Sequence, residues 1–492
     1  MSAIDGFSPA YTMLRTLRAR QVSAVELLDL HLERIERLNP ALNAIVTPNY
    51  DQARQDARTA DAARARGEDA PLLGLPMTIK DCIDVQGLPG TAGVVEFADR
   101  RPVHDAPVVA RVRAAGAVIL GKTNVPPWAG DHQADNPVFG RTNNPWDLDR
   151  TPGGSTGGGA AALAAGLTAL ELGSDLGGSI RVPAAFCGVY GHRPSDTAVP
   201  RSGHFPGSPL PNAAWVMNVQ GPLARTADDL ALALDVIAGA DVGDDVAWRL
   251  VLPPARHTRL ADFRVAVLPS IAWQPVDAEI VASLDRLAGE LRHAGARVQE
   301  AQPDGFGDLH DYHACYVSLL GVMQSRGTSA EQRRQMAADV RARGDAFDPA
   351  AARGLEASAS EYFGWHGRRE EYRAAYRAFF RDWDVLLAPT TIVPAFPHTR
   401  EPRSDRFLTV NGERVPYGRL LVYPGLATLA GQPATAFPAG LSSGGLPLSV
   451  QAIGPFLEDR TPMQFTALVA REVGGFQAPP GYGPPAHGVI AL

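Results

Sequence analysis

Residues 151–181 read TPGGSTGGGAAALAAGLTALELGSDLGGSIR, and the fold turns on how this stretch is laid out. Two Gly-Gly-Ser triplets, Gly153-Gly154-Ser155 and Gly177-Gly178-Ser179, stand 24 residues apart. Paired glycines let the backbone adopt φ > 0 and let a reacting group come close to main-chain N–H groups. Between the triplets, AALAAGL has the composition of a helix and TALELGSD (168–175) that of a strand. One helix and one strand return the chain on itself, so Ser155 and Ser179 can face one pocket.

Three local motifs compete for this stretch. Gly153-Gly154-Ser155-Thr156-Gly157 fits G-x-S-x-G, but that nucleophile elbow needs a strand directly before it. Here NNPWDLDRTP precedes it and reads as a loop. Gly157-x-Gly159-x-x-Ala162 loosely fits a dinucleotide fingerprint and fails for the same reason. A P-loop would end in GK[ST], and no lysine is present. Glycine-rich packing without chemistry is the bland alternative.

Outward from this stretch the chain alternates. SAVELLDLHLERIERL (23–38) reads as a capped amphipathic helix ended by Asn39-Pro40, and residues 51–66 as a helix stopped by Gly67. Apolar runs at 75–85, 117–123, 168–175, 263–269, 296–301, 384–390 and 446–454 read as strands, with helical patterns at 106–116, 226–240, 276–295, 309–380 and 460–473 between or after them. Near-continuous apolar strands alternating with helices predict an α/β fold whose sheet is covered on both faces. The expected organisation is a helical N-terminal segment (1–70), a single large α/β domain (71–475) and an irregular Pro/Gly-rich tail (476–492).

Composition narrows the function. The 492 residues carry a net charge of −7 and no basic stripe, which argues against nucleic acid and anionic membranes as partners. Cys82, Cys187 and Cys315 form no CxxC pair, and the N-terminus lacks an apolar leader core, so a reducing, cytoplasmic setting is expected. No metal motif is present; Asp131-His132-Asp135 lacks ligand spacing, and His132 reads as a loop hydrogen-bonder. Of 46 basic residues only Lys80 and Lys122 are lysines. Arginine cannot be deprotonated in a protein, whereas a buried lysine can.

Longer runs carry a resemblance. GLPMTIKDCIDVQGLPGTAG (74–93), ARVRAAGAVILGKTNVPPWAG (110–130), NPVFGRTNNPWDLDRTPGGSTGGGAAALAAG (136–166) and ELGSDLGGSIRVPAAFCGVYGHRPS (171–195) resemble, in this order, the amidase signature family of serine hydrolases. Weaker echoes lie at 38–46, 384–397 and 424–454. The resemblance implies a mixed twisted sheet with helices on both faces and a Ser-Ser-Lys triad. Ser179 matches the nucleophile, Ser155 the bridging serine that follows a cis peptide bond, and Lys80 the base. The N–H groups of Leu176, Gly177, Gly178 and Ser179 match the oxyanion hole, and Trp128 and Gly130 a region lining the substrate pocket.

The chemistry is sound on its own terms. A serine hydroxyl needs a neighbouring base, and lysine serves as one only when neutral, from an unperturbed pKa of about 10.4. Burial among Met77, Ile79 and Ile83 would disfavour the ammonium. Asp175 and Arg181 are expected to pair and hold the nucleophile turn, Cys187 and Cys315 to be structural, and Lys122 has no assigned chemistry. Thr156 stands where the family usually has a second serine, and Gly191-His192-Arg193-Pro194 replaces its GLKP. The expected function is hydrolysis of a small-molecule carboxamide, with esters also in reach, no cofactor and no metal; a homodimer is left open. Two alternatives stand: the glutamine-hydrolysing A subunit of a tRNA-dependent amidotransferase, and a catalytically silent binding protein. Aliphatic, aryl, peptide and carbamate substrates and synthetic oligoamides all remain open.

Overall fold

The apolar runs become strands of one sheet. A computed structural model describes residues 4–208, 210–483 and 490. Its eleven-stranded sheet comprises β1 (Ile45–Pro48), β2 (Pro76–Lys80), β3 (Val118–Thr123), β4 (Leu170–Asp175), β5 (Tyr190–Arg193), β6 (Val219–Ala224), β7 (Arg264–Val267), β8 (Arg297–Glu300), β9 (Val385–Pro389), β10 (Ala434–Leu441) and β11 (Pro447–Ile453). Across the sheet they run β1-β3-β2-β4-β6-β5-β10-β11-β9-β7-β8. The groups β3-β2-β4 and β9-β7-β8 are parallel, and all other neighbours are antiparallel. The sheet is therefore mixed, as the resemblance implied.

Helices cover both faces: α1 (Ala10–Arg18), α2 (Ala24–Leu42), α3 (Tyr50–Ala65), α4 (Pro107–Ala114), α5 (Gly157–Ala164), α6 (Arg181–Cys187) and α7 (Ala227–Ile237) in the first half. The second half adds α8 (Ala278–His293), α9 (His310–Gln324), α10 (Ala330–Arg341), α11 (Asp348–Leu355), α12 (Ala359–Phe379), α13 (Val422–Ala430) and α14 (Arg460–Val473). Strand side chains alternate between two cores. Val385 and Leu387 of β9 enter one buried cluster, Leu386 and Ala388 the other. Burial on both faces is why these strands read as unbroken apolar runs.

Four strands of this sheet were not foreseen: β1, β5, β6 and β10. YGHR and VQGPLA contain glycine, proline or charge and are legible only through their partners. β1 pairs antiparallel with β3, so the segment 1–70 also extends the sheet. The expected stop at Asn39-Pro40 is passed: α2 continues to Leu42 and closes on left-handed Asn43. The Asn39 side chain accepts from the N–H groups of Ala44 and Ile45 and so ties the helix end to β1. Residues 309–380 divide into four helices rather than one region. Of the tail, residues 484–489, 491 and 492 lie outside the described residues. Among the described residues no helix is long and apolar enough to cross a membrane.

Candidate active site

Parallel strands aim their carboxyl ends at a common crevice, where α/β sheets commonly hold ligands. Lys80 is the last residue of β2, and Ser174 and Asp175 end the neighbouring β4. Lys80 is fully buried. Its Nζ lies 2.7 Å from Ser155 Oγ, 2.9 Å from Ser174 Oγ and 3.4 Å from the Ser174 carbonyl. Burial lowers the Lys80 pKa, and nearby Cys82, Asp175 and Glu171 only partly oppose it. Burial thus disfavours the ammonium form of Lys80 beside two serine hydroxyls.

The segment after β4 turns sharply into α6 and presents Ser179, which is 8% exposed. Gly178 sits at φ +92°, and a Cβ there would meet Pro424 at 2.8 Å, so the turn requires glycine. Asp175 organises it from below. Its carboxylate accepts from the Gly178 and Ile180 N–H groups at 3.0 and 3.2 Å and pairs with Arg181 at 2.9 Å. Burial by itself would raise the Asp175 pKa, but Arg181 and Arg193 outweigh it and bring it down to about 2. Arg181 also reaches the Pro424 carbonyl, Gln451 and Thr428, all buried.

Of the four N–H groups expected to line an oxyanion hole, that of Gly178 donates to Asp175 at 3.0 Å. The N–H groups of Leu176, Gly177 and Ser179 have no acceptor among the described residues. Two side chains fix the intervening peptides: the Tyr316 hydroxyl donates to the Leu176 carbonyl at 2.9 Å, and His132 Nε2–H donates to the Gly177 carbonyl at 3.0 Å. Burial keeps His132 below its usual pKa, which suits the neutral donor. A carbonyl and the next N–H point oppositely, so Tyr316 sets the direction of the Gly177 N–H.

The second triplet is held against the first. The Thr156 N–H donates to the Ser179 carbonyl at 3.1 Å, and the Gly154–Ser155 peptide is cis. Ser155, Ser174 and Ser179 line one cavity of about 790 Å³, together with Trp128 and Gly130 at its mouth. Another cavity, of about 530 Å³ beside Phe396, is lined by none of these three serines. Cys315 is buried but does not line the larger cavity; burial pushes its thiol up to about 12. Cys187 is buried in the core.

Lys122 has a structural explanation. It pairs in register with Ile79, next to Lys80, so the two lysines leave opposite faces of the sheet. Its Nζ donates to the Pro89 carbonyl at 2.7 Å and stands 3.8 Å from Asp81, bracing the loop after β2. Ser174, Tyr316 and the contact made by His132 were missed as site features. Only the placement of Ser174 at the end of the strand that leads to Ser179 could have flagged it. No three His, Cys, Asp or Glu side chains converge as a metal set among the described residues.

A buried amine against one serine, a second serine on a strand-to-helix turn and unpaired N–H groups beside it form an arrangement suited to acyl transfer. The chain belongs to the amidase family: the family model described as Amidase matches residues 26–462. It is 34% identical over 452 residues to the indoleacetamide hydrolase of Bradyrhizobium diazoefficiens, covering 90% of this chain and 82% of that protein. It is also 34% identical over 463 residues to the A subunit of glutamyl-tRNA(Gln) amidotransferase from Roseiflexus sp., covering 90% and 91%. Among solved structures, a bacterial aryl acylamidase of the amidase signature family superposes with a TM-score of 0.79 at 26% identity, over 95% of this chain and 96% of that one. The protein is an amide hydrolase of this family.

Proposed function

We propose that the chain hydrolyses a small-molecule carboxamide through an acyl-enzyme on Ser179. Neutral Lys80 takes the Ser155 hydroxyl proton as Ser155 takes that of Ser179, whose oxygen attacks the carbonyl carbon. The developing oxyanion meets the Leu176, Gly177 and Ser179 N–H groups, donors worth roughly 2.7–4 kcal/mol each in comparable sites. The relay then returns the proton to the leaving nitrogen, the C–N bond breaks, and water attacks the ester along the same path. The observation that carries this reading is the 2.7 Å contact between fully buried Lys80 and Ser155.

The experiment is a screen of primary and N-aryl amides with mass spectrometry of the trapped enzyme. Acyl mass on the Ser179 peptide, and its loss with activity in Ser179→Ala, is expected; normal turnover by Ser179→Ala overturns the assignment. Likeness to the A subunit of the amidotransferase supports a second reading, in which glutamine is the substrate. Ammonia release from glutamine and from no other amide, dependent on added partner chains, would favour it. Lys80, Ser155 and Ser179 together argue against a silent binding protein.

A further inference from the structure

We propose that the cavity beyond Ser179 continues into an apolar arm roofed by α10, and that this arm takes an extended hydrocarbon or aryl substituent of the amide. The assignment rests on the acyl-enzyme reading above. A volume of about 790 Å³ lies within the roughly 300–1,000 Å³ of sites that enclose drug-sized ligands. A two- or three-carbon amide leaves most of it unfilled.

The walls of the arm come from three helices: Val317 and Leu320 of α9, Met336 and Val340 of α10, Ala351 and Leu355 of α11. α9 and α11 touch backbone to backbone, since a Cβ on Gly354 would lie 2.1 Å from the Ser318 carbonyl oxygen. α10 is attached differently. It meets α11 through a small cluster of Ala337, Val340, Ala352 and Leu355 that is separate from both main cores. It forms a roof over the cavity rather than part of the core beneath it.

The charged side chains around the cavity do not compete for this role. Arg419 is paired with Asp345 and Arg406 with Asp131, while Arg326 lies 3.8 Å over the Trp215 ring. Asp339 of α10 and Arg343, just past its end, line the cavity but are exposed to solvent; Asp348 accepts from the Asp345 N–H at 2.7 Å, and Arg403 donates to the Gly130 carbonyl at 2.7 Å. What the arm itself offers a ligand is aliphatic surface. Each buried methylene contributes enough to raise kcat/KM about three- to fourfold until the arm is full.

The test is a series of linear primary amides from propanamide to decanamide, with kcat/KM for turnover and calorimetric binding to the Ser179→Ala protein. Both should rise with chain length, and Val340→Phe should lower the decanamide-to-propanamide ratio of each at least tenfold. Should Val340→Phe fail to fold, Leu320→Ala, which widens the arm, should move the optimum to longer chains. Binding and turnover that are flat with chain length, or a ratio untouched by a folded Val340→Phe, overturn the arm. Decanamide binding that Val340→Phe removes, in a chain that turns over no amide, supports the arm and overturns the acyl-enzyme reading instead.

Discussion

Lys80 and Lys122 are both fully buried, yet their neighbours differ in kind: hydroxyls surround one, while a carbonyl and a carboxylate hold the other. Lys80→Arg should therefore lose activity as Lys80→Ala does, about 10³-fold or more in kcat, because a guanidinium cannot act as the base. An active Lys80→Arg enzyme near pH 7 in a steady-state assay would refute the relay. Glu171 gives a different pH signature. Burial pushes its carboxyl up to about 7, and Oε2 has no partner among the described residues, although Thr123 donates to Oε1 at 2.6 Å. The folded pKa is raised above the unfolded 4.5, so its stabilising contribution is complete below pH 4.5 and is lost as pH rises through about 7. Thermal unfolding from pH 5 to 9 should show a decline of about 3 kcal/mol or less that Glu171→Gln removes. The sequence exposed Lys80, Ser155 and Ser179 as residue types. It did not show that Asp175 occupies the Gly178 N–H, because that contact depends on the curvature of the turn.

At the scale of elements, α5 explains its own glycines. Gly158 packs where β3 ends: a Cβ would stand 2.3 Å from the Asn124 nitrogen and 2.6 Å from the Ala44 oxygen, both backbone atoms that cannot rotate away. Gly158→Ala should cost about 1–3 kcal/mol, read as a lower urea midpoint at an unchanged slope. Helix α9 acts through Tyr316, whose hydroxyl holds the Leu176 carbonyl. Tyr316→Phe should lower kcat about tenfold or more while KM changes little, since it loosens a donor that matters most in the transition state. A rise in KM at constant kcat would instead mean that Tyr316 serves ground-state binding. Helices and strands with a clear period or apolar run were legible in advance. β5, β6 and β10 were not, because their glycines and prolines are tolerated only by the partners they find.

At the scale of the whole molecule, Arg181 joins the nucleophile turn to α13 and β11 through Asp175, the Pro424 carbonyl, Thr428 and Gln451. Removing it leaves the Asp175 charge buried without its closest partner. Arg181→Met should destabilise the fold by about 3–5 kcal/mol in chemical denaturation. Asp175 is held down to about 2, so its contribution is present above the unfolded 3.8 and lost as pH falls through about 2. Arg181→Met should accordingly shift acid unfolding to higher pH, and an unchanged acid midpoint would show that Arg193 alone suffices.

By itself the sequence determined the class of fold, the family and the three polar residues on which the chemistry is proposed to rest. Those follow from local pattern: apolar period, paired glycines, and one lysine where arginine would fail. Only the tertiary structure decided which N–H groups remain unpaired, why Lys122 is a brace, and that α9, α10 and α11 enclose an apolar arm beside Ser179. The first depends on the curvature of the turn from Asp175 to Gly178, and the others on groups far apart in the chain meeting within hydrogen-bond or van der Waals distance; no sequence pattern encodes either.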